Sequence, residues 1–248
     1  MSFPEPNAAE EQNAILKDTA VFSIGSYASQ FLGVINSIAL RRFLGPESMG
    51  VFVLLRVLLG YCGYASLGTT KAAFREIPFF RGKGNLEEAE AIKNQVFTFS
   101  IANSILPALG IMGYVLWKHA GMSSYVTWGL VAISLVVILQ RLNDYYLTLL
   151  RAGKQFVLVS KATIITAAVD LLVTFTLVIK WQLYGLYAGL ILSVLINLTF
   201  IHWRARYCFK PTWDMKRMKR LLTLGIPLLL LAFSYEILRS IDKIIIGK

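Results

Sequence analysis

Residues 156–203 read FVLVSKATIITAAVDLLVTFTLVIKWQLYGLYAGLILSVLINLTFIHW, and Lys161, Asp170 and Lys180 are the formally charged residues in the run. At 1.5 Å per residue, a continuous helix of this length would reach about 70 Å, more than twice the ~30 Å hydrocarbon core of a bilayer. The stretch therefore reads as two crossings, Phe156–Ile179 and Leu183–Trp203, broken around Lys180. Inside a bilayer no water is available to backbone amides and carbonyls, so each crossing must be a helix that satisfies them internally.

Working outward, the same pattern recurs at Ile15–Leu40, Met49–Thr69, Gln95–Trp117, Val126–Leu150 and Leu221–Ile246. The expected fold class is all-α, a polytopic integral membrane protein. Composition agrees: 56% of the 248 residues are hydrophobic, 16% are charged, and mean hydropathy is +0.60. Soluble chains carry about 25% charged residues, enough to cover a solvated surface. The net charge of +11 does not indicate nucleic acid, because the basic residues fall between apolar runs and form no clustered, solvated patch. Cys62 and Cys208 have no redox or metal-binding spacing. The first fourteen residues are polar and acidic, without the basic start of a secretory signal, so the first apolar run is expected to remain in the mature protein.

The connections differ in charge. The second carries Lys71, Arg75, Arg81, Lys83 and Lys93, the fourth Arg151 and Lys154, and the sixth Arg204, Arg206, Lys210, Lys216, Arg217, Lys219 and Arg220. The others hold only Arg41 with Arg42, Lys118, and Lys180. The positive-inside rule places the even connections and the N-terminus in the cytoplasm. Within the second connection, Asn85 followed by Glu88 resembles a helix start. It would open a short helix with Leu86, Ala89, Ala91 and Ile92 on its apolar side. Ile77-Pro-Phe-Phe80, flanked by arginines, suits a segment lying on the membrane surface; an ordinary polar loop is the competing reading. Small residues at Gly25, Ser29, Gly33 and Ser37, and again at Gly185 and Gly189, predict close helix packing. Asn197-Leu-Thr matches a glycosylation pattern but lies inside a span.

Charges inside the spans need a reason, since each costs upward of about 2.5 kcal/mol near the bilayer centre. Arg56 lies about 12 Å along its span, and either faces a water-filled cavity that receives an anion or pairs with a carboxylate on another helix. Gln140, Arg141, Asp144 and Tyr145 sit together on the fourth span, where Arg141 falls beside Asp144 and Tyr145 by helical spacing. The fifth span carries Lys161 near one end and Asp170 near its middle, with Thr163 and Thr166 on the Asp170 face. Asp170 is the candidate for proton or cation coupling, with a salt bridge to Arg56 or Arg141 as the alternative. In the last span Glu236, Arg239, Asp242 and Lys243 alternate in sign along one face, which must meet protein or a cavity and not lipid. His119 and His202 stand on different spans, and no catalytic set, metal-ligand spacing or cofactor motif is present; enzyme chemistry, metals and cofactors are not expected.

Asn13–Arg42 and Lys219–Lys248 can be laid over each other without a gap, so that Gln30 meets Glu236 and Asn36 meets Asp242. This fits a parallel duplication of a six-helix lobe. Three segments, RRFLGPESMGVF (41–52), GYASLGTTKAAFREIPFFRGKG (63–84) and LLTLGIPLLLLAFSYEILRSIDKIIIGK (221–248), resemble the polysaccharide-exporter family, oligosaccharide-lipid flippases related to multidrug and toxin extrusion transporters. The resemblance implies a polar cytoplasmic N-terminus (1–14), a six-span lobe (15–203), a basic cytoplasmic linker (204–220) and the first span of a second lobe (221–248). Family members have two lobes, so it also implies a truncated or split copy. The implied activity is translocation of a polyprenyl-pyrophosphate-linked oligosaccharide across the inner membrane for O-antigen, capsule or other polysaccharide assembly, in contact with membrane lipids and polysaccharide assembly proteins. The substrate-binding candidates are Arg56, Arg141, Asp144, Lys161, Asp170, Glu236, Arg239 and Asp242. A cation- or proton-coupled multidrug exporter of the same superfamily, a membrane-embedded polymerase or glycosyltransferase, and an inactive gene fragment are the rival readings.

Overall fold

The computed structural model describes the backbone of residues 8–118 and 121–246, and the side chains of 16–118 and 121–234. The described residues are helical throughout their ordered elements, with no strand, as a bilayer-spanning chain requires. The helices are α1 (Ala8–Gly63), α2 (Thr69–Gly82), α3 (Leu86–Lys118), α4 (Ser124–Ala152), α5 (Phe156–Val173), α6 (Ile179–Ala205) and α7 (Met215–Ile246). Four stretches are long and apolar enough to cross a membrane: Leu16–Ser66, Leu86–Lys118, Ser124–Ala152 and Phe156–Ala205. The first and last of these, 51 and 50 residues long, each suffice for two crossings.

Each of these two long stretches is broken once. In α1 the break is at Gly45, with φ 72 and ψ 172, a conformation that only glycine adopts without strain. Pro46 follows and removes a helical donor at the same point. Between α5 and α6 the chain widens into one π turn at Thr174–Val178, and it breaks within the first turn of α6 at Gln182, φ 47 and ψ −123. The two arms so formed pack very closely. A Cβ on Gly185 would lie 2.2 Å from the carbonyl oxygen of Leu177, and one on Gly189 would lie 2.0 Å from Val173 Cγ1.

The first arm of α1 runs alongside α5 in the same direction. Ser160 Oγ donates to the Val21 carbonyl (3.1 Å), Thr174 Oγ1 bonds Asn36 Oδ1, and Phe43 meets Phe175 edge-on. Gly25 allows this approach, since a Cβ there would sit 2.6 Å from Ser160 Cβ; Gly33, on the same stripe, meets nothing within 4 Å. Between α4 and α6, Asn197 Nδ2 donates to Asn143 Oδ1 (2.8 Å), and both side chains are buried. The asparagine of the Asn197-Leu-Thr motif is thus part of the interior packing, although Thr199 is exposed.

The second connection differs from its expected form. The second arm of α1 ends at Gly63, six residues before Thr69, because Leu67 and Gly68 both take left-handed backbone and turn the chain. A complete helix, α2, follows, where the sequence suggested only a surface segment, and it packs against α3, α4 and α7 through Ala72, Ala73, Glu76 and Ile77. Asn85 Oδ1 accepts from Glu88 N (3.0 Å), the expected helix start, yet the helix it opens continues into the third span. Gly68 meets Gly225 so closely that a Cβ on Gly68 would fall 2.0 Å from the Gly225 carbonyl oxygen, which docks α7 onto this corner.

The basic linker is fastened along α3. Lys210 N donates to Asn94 Oδ1 (3.1 Å), Thr212 N to Thr98 Oγ1 (3.1 Å) and Asp214 N to Gln95 Oε1 (2.8 Å). Asp214 then caps α7, accepting from the amides of Lys216 and Arg217, which hold its carboxyl below the usual range. Beside it Glu88 receives both Arg217 (3.0 Å) and Arg220 (2.8 Å), and Glu76 lies 3.7 Å from Arg220. Arg81 and Lys93 share Glu90. Four of the basic residues that mark topology in the sequence, Arg81, Lys93, Arg217 and Arg220, are therefore paired.

Candidate functional site

A cavity of about 440 Å³ lies between the second arm of α1, α4, α5 and α6. Arg56 reaches it from α1, Gln140, Arg141 and Asp144 from α4, Asp170 from α5 and Ser193 from α6. Four of the sequence candidates, spread over more than a hundred residues of chain, thus share one space. A smaller pocket continues from it past Arg56 and Asp170 to Asn36 and Thr174, where the π turn begins.

The charged groups are held in different ways. Arg141 is buried, and its Nη2 donates to the carbonyls of Cys62 (3.0 Å) and Gly63 (2.8 Å), the last residues of α1. A helix C-terminus exposes unpaired carbonyls and carries partial negative charge, so the guanidinium completes both. Asp144 accepts from Gln140 Nε2 one turn earlier (3.1 Å). Asp170 lines the cavity together with Ser193 and Arg56. Arg56 is exposed, with its guanidinium 5.5 Å from the centre of the Phe52 ring. Among the described residues no carboxylate of this cavity lies within 4 Å of Arg56 or Arg141. The direct salt bridge considered for Asp170 is absent at that distance. The cavity therefore offers both signs of charge without internal pairing, an arrangement able to accept an anion at Arg56 and a cation or proton at the carboxylates.

The remaining candidates lie elsewhere. Tyr145, one helical turn from Arg141, does not line the cavity: it is fully buried and donates to the Lys93 carbonyl (2.5 Å) on α3. Lys161 is exposed on α5 and does not line the cavity. Thr166 lines it, while Thr163 bonds back to the carbonyls of Val159 and Ser160. The side chains of Glu236, Arg239, Asp242 and Lys243 lie outside the described residues, as does His119. Ser193, Cys62 and Asn36 were not singled out as site residues by sequence. Each is a small polar group within an apolar run, and only its neighbours across the fold make it part of the site. A second cavity, about 500 Å³, between α3, α4 and α6 is apolar, lined by residues such as Leu109, Trp128 and Leu135.

The profile of a family described as "Polysaccharide biosynthesis protein" matches residues 39–248. A presumed O-antigen transporter of Shigella flexneri is 24% identical over 202 residues, covering 76% of this chain and 47% of the relative. Among solved structures, an outward-facing multidrug resistance MATE family transporter of the MOP superfamily superposes with a TM-score of 0.68 at 16% identity, covering 89% of this chain and 53% of that one. A point mutant of MATE gives the same score and covers 54% of its own chain. The likeness is one of fold. The chain spans about half the length of the relatives it matches.

Proposed function

The chain belongs to the polysaccharide biosynthesis protein family, and from that premise we propose that it serves as a flippase, or as one part of a flippase, for polyprenyl-pyrophosphate-linked oligosaccharide. The observation that carries the reading is the cavity in which Arg56, Arg141, Asp144 and Asp170 converge without direct ion pairs. In this reading the exposed Arg56 receives the pyrophosphate, Arg141 fixes the cavity wall and adds positive potential, and the lipid tail stays in the bilayer. Asp144 and Asp170 balance the cations when the substrate is absent.

The proposed organisation is a six-span lobe over 15–203, a cytoplasmic linker over 204–220 and the opening span of a second lobe over 221–248, set in the inner membrane with the N-terminus in the cytoplasm. The uneven distribution of basic residues supports this orientation.

Complementation tests the reading. In cells lacking their own copy, the Arg56→Ala variant is expected to reduce surface polysaccharide at least about tenfold, the loss of roughly 1.4 kcal/mol of anion binding. Unimpaired export at equal protein level removes Arg56 from the mechanism. The two cavity carboxylates favour a second reading, cation-coupled drug export. Asp170-dependent efflux of a cationic dye, with polysaccharide export unaffected, would select it.

A further inference from the structure

At the basic end of the bundle another cavity, about 470 Å³, opens between α2, α4 and α7. Thr70, Lys71 and Arg75 reach it from the start of α2, and Thr148 and Arg151 from the end of α4. Its cations differ from those around it. Arg81, Lys93, Arg217 and Arg220 each lie within 4 Å of a carboxylate, but among the described residues Lys71, Arg75 and Arg151 do not. Lys71 donates to the Leu228 carbonyl (3.3 Å), which holds its ammonium beside the cavity without neutralising it.

Two further features make this a built site. Thr70 and Lys71 belong to the first turn of α2, whose cap, Gly68, supplies no side-chain acceptor, so the amides of that turn favour an anion. The Oγ1 of Thr70 is buried and has no hydrogen-bond partner among the described residues, which a phosphate oxygen would correct. Phe74, about half exposed, and Leu228 set apolar surface next to the cations. Three unpaired cations, a helix start and the Thr70 hydroxyl suit a phosphate, and an apolar wall beside them suits a ligand with a hydrocarbon tail.

We propose that this cavity binds the phosphate of a membrane amphiphile, either the headgroup of an anionic phospholipid or the phosphate end of an isoprenoid lipid. The proposal does not depend on the transport reading, because a bilayer phospholipid would occupy the same groove in a protein that moves nothing.

The test is lipid retention by the purified full chain in detergent, read by native mass spectrometry. The probes are dioleoyl phosphatidylglycerol, dioleoyl phosphatidylcholine, an isoprenyl phosphate and inorganic phosphate. The expected result is retention of phosphatidylglycerol or isoprenyl phosphate at least about tenfold over phosphatidylcholine. In Arg75→Gln/Arg151→Gln that preference is expected to fall to within about twofold. Lys180→Gln, on an exposed lysine outside the cavity, is expected to keep it. Competition between the two anionic lipids then names the source, and either winner upholds the site. Equal retention of phosphatidylcholine, or an undiminished preference in the double variant, overturns it. Inorganic phosphate retained as well as the lipids overturns the amphiphile. If the double variant does not fold, Thr70→Val gives the reading, since it removes only the unpartnered hydroxyl. About threefold weaker retention is expected, and no change counts against the proposal.

Discussion

Two regions of this protein concentrate charge, and they treat it in opposite ways. Where α2, α3 and α7 meet, Glu88 accepts two arginines, Glu76 lies near one of them, and Asp214 caps the last helix. In the cavity between α1, α4, α5 and α6, two arginines and two carboxylates share a space with no pair within 4 Å. Paired, partly buried charges fix geometry because separating them would leave each desolvated without the attraction that offsets part of that cost. Charges held by carbonyls and an amide remain available to something that enters. The first region is built to hold α7 in place, and the second is built to respond.

The largest test of this contrast is steric. Gly68→Val sets a branched side chain on backbone at φ 74, against the Gly225 carbonyl. It should release α7 and lower the thermal unfolding midpoint in detergent by more than any charge substitution, with a loss of several kcal/mol, roughly 3 or more. A midpoint within a degree of the parent would mean that α7 does not depend on this contact.

Arg141→Ala comes next. It strips the charge-assisted hydrogen bonding of one guanidinium nitrogen from the end of α1, worth about 1.5–3 kcal/mol in all, and leaves Asp144 without its nearest buried cation. Both stability and export should fall. If export is lost while the midpoint is unchanged, Arg141 belongs with the responsive charges and not with the framework.

Glu88→Gln is the smallest of the three. It weakens the hold on Arg217 and Arg220 by about 1–2 kcal/mol while leaving the cavity untouched. The unfolding midpoint should drop and export per folded molecule should stay. A change in export at constant protein level would show that the two regions are coupled through α7.

Much of the fold was legible in the residues. The apolar runs marked the long helices, and Gly185 with Gly189 predicted the close approach found at Leu177 and Val173, whereas the break at Gly45-Pro46 was not read from the residues. The first two features depend on local chemistry: a run long enough to cross the bilayer and the absence of a side chain. Helix α2 was largely missed, because Pro78 and its flanking arginines resemble a surface loop until Ala72, Ala73 and Ile77 are buried by three other helices.

The site divides in the same way. The presence of Arg56, Arg141, Asp144 and Asp170 within apolar runs was enough, by the cost of charge in a bilayer, to mark them as residues that need a reason. Spacing along α4 also suggested an Arg141–Asp144 pair with Tyr145 beside it, whereas packing directs the Tyr145 hydroxyl to the Lys93 carbonyl of α3 and Arg141 to the carbonyls of α1. By itself, then, the sequence determined that the chain is a polytopic helical membrane protein and which charges interrupt its apolar runs, since burial energy depends on composition and length. Only the tertiary structure decided which charges are paired and which remain open. An ion pair requires two groups within a few ångströms, and that distance is set by how helices far apart in the chain pack together.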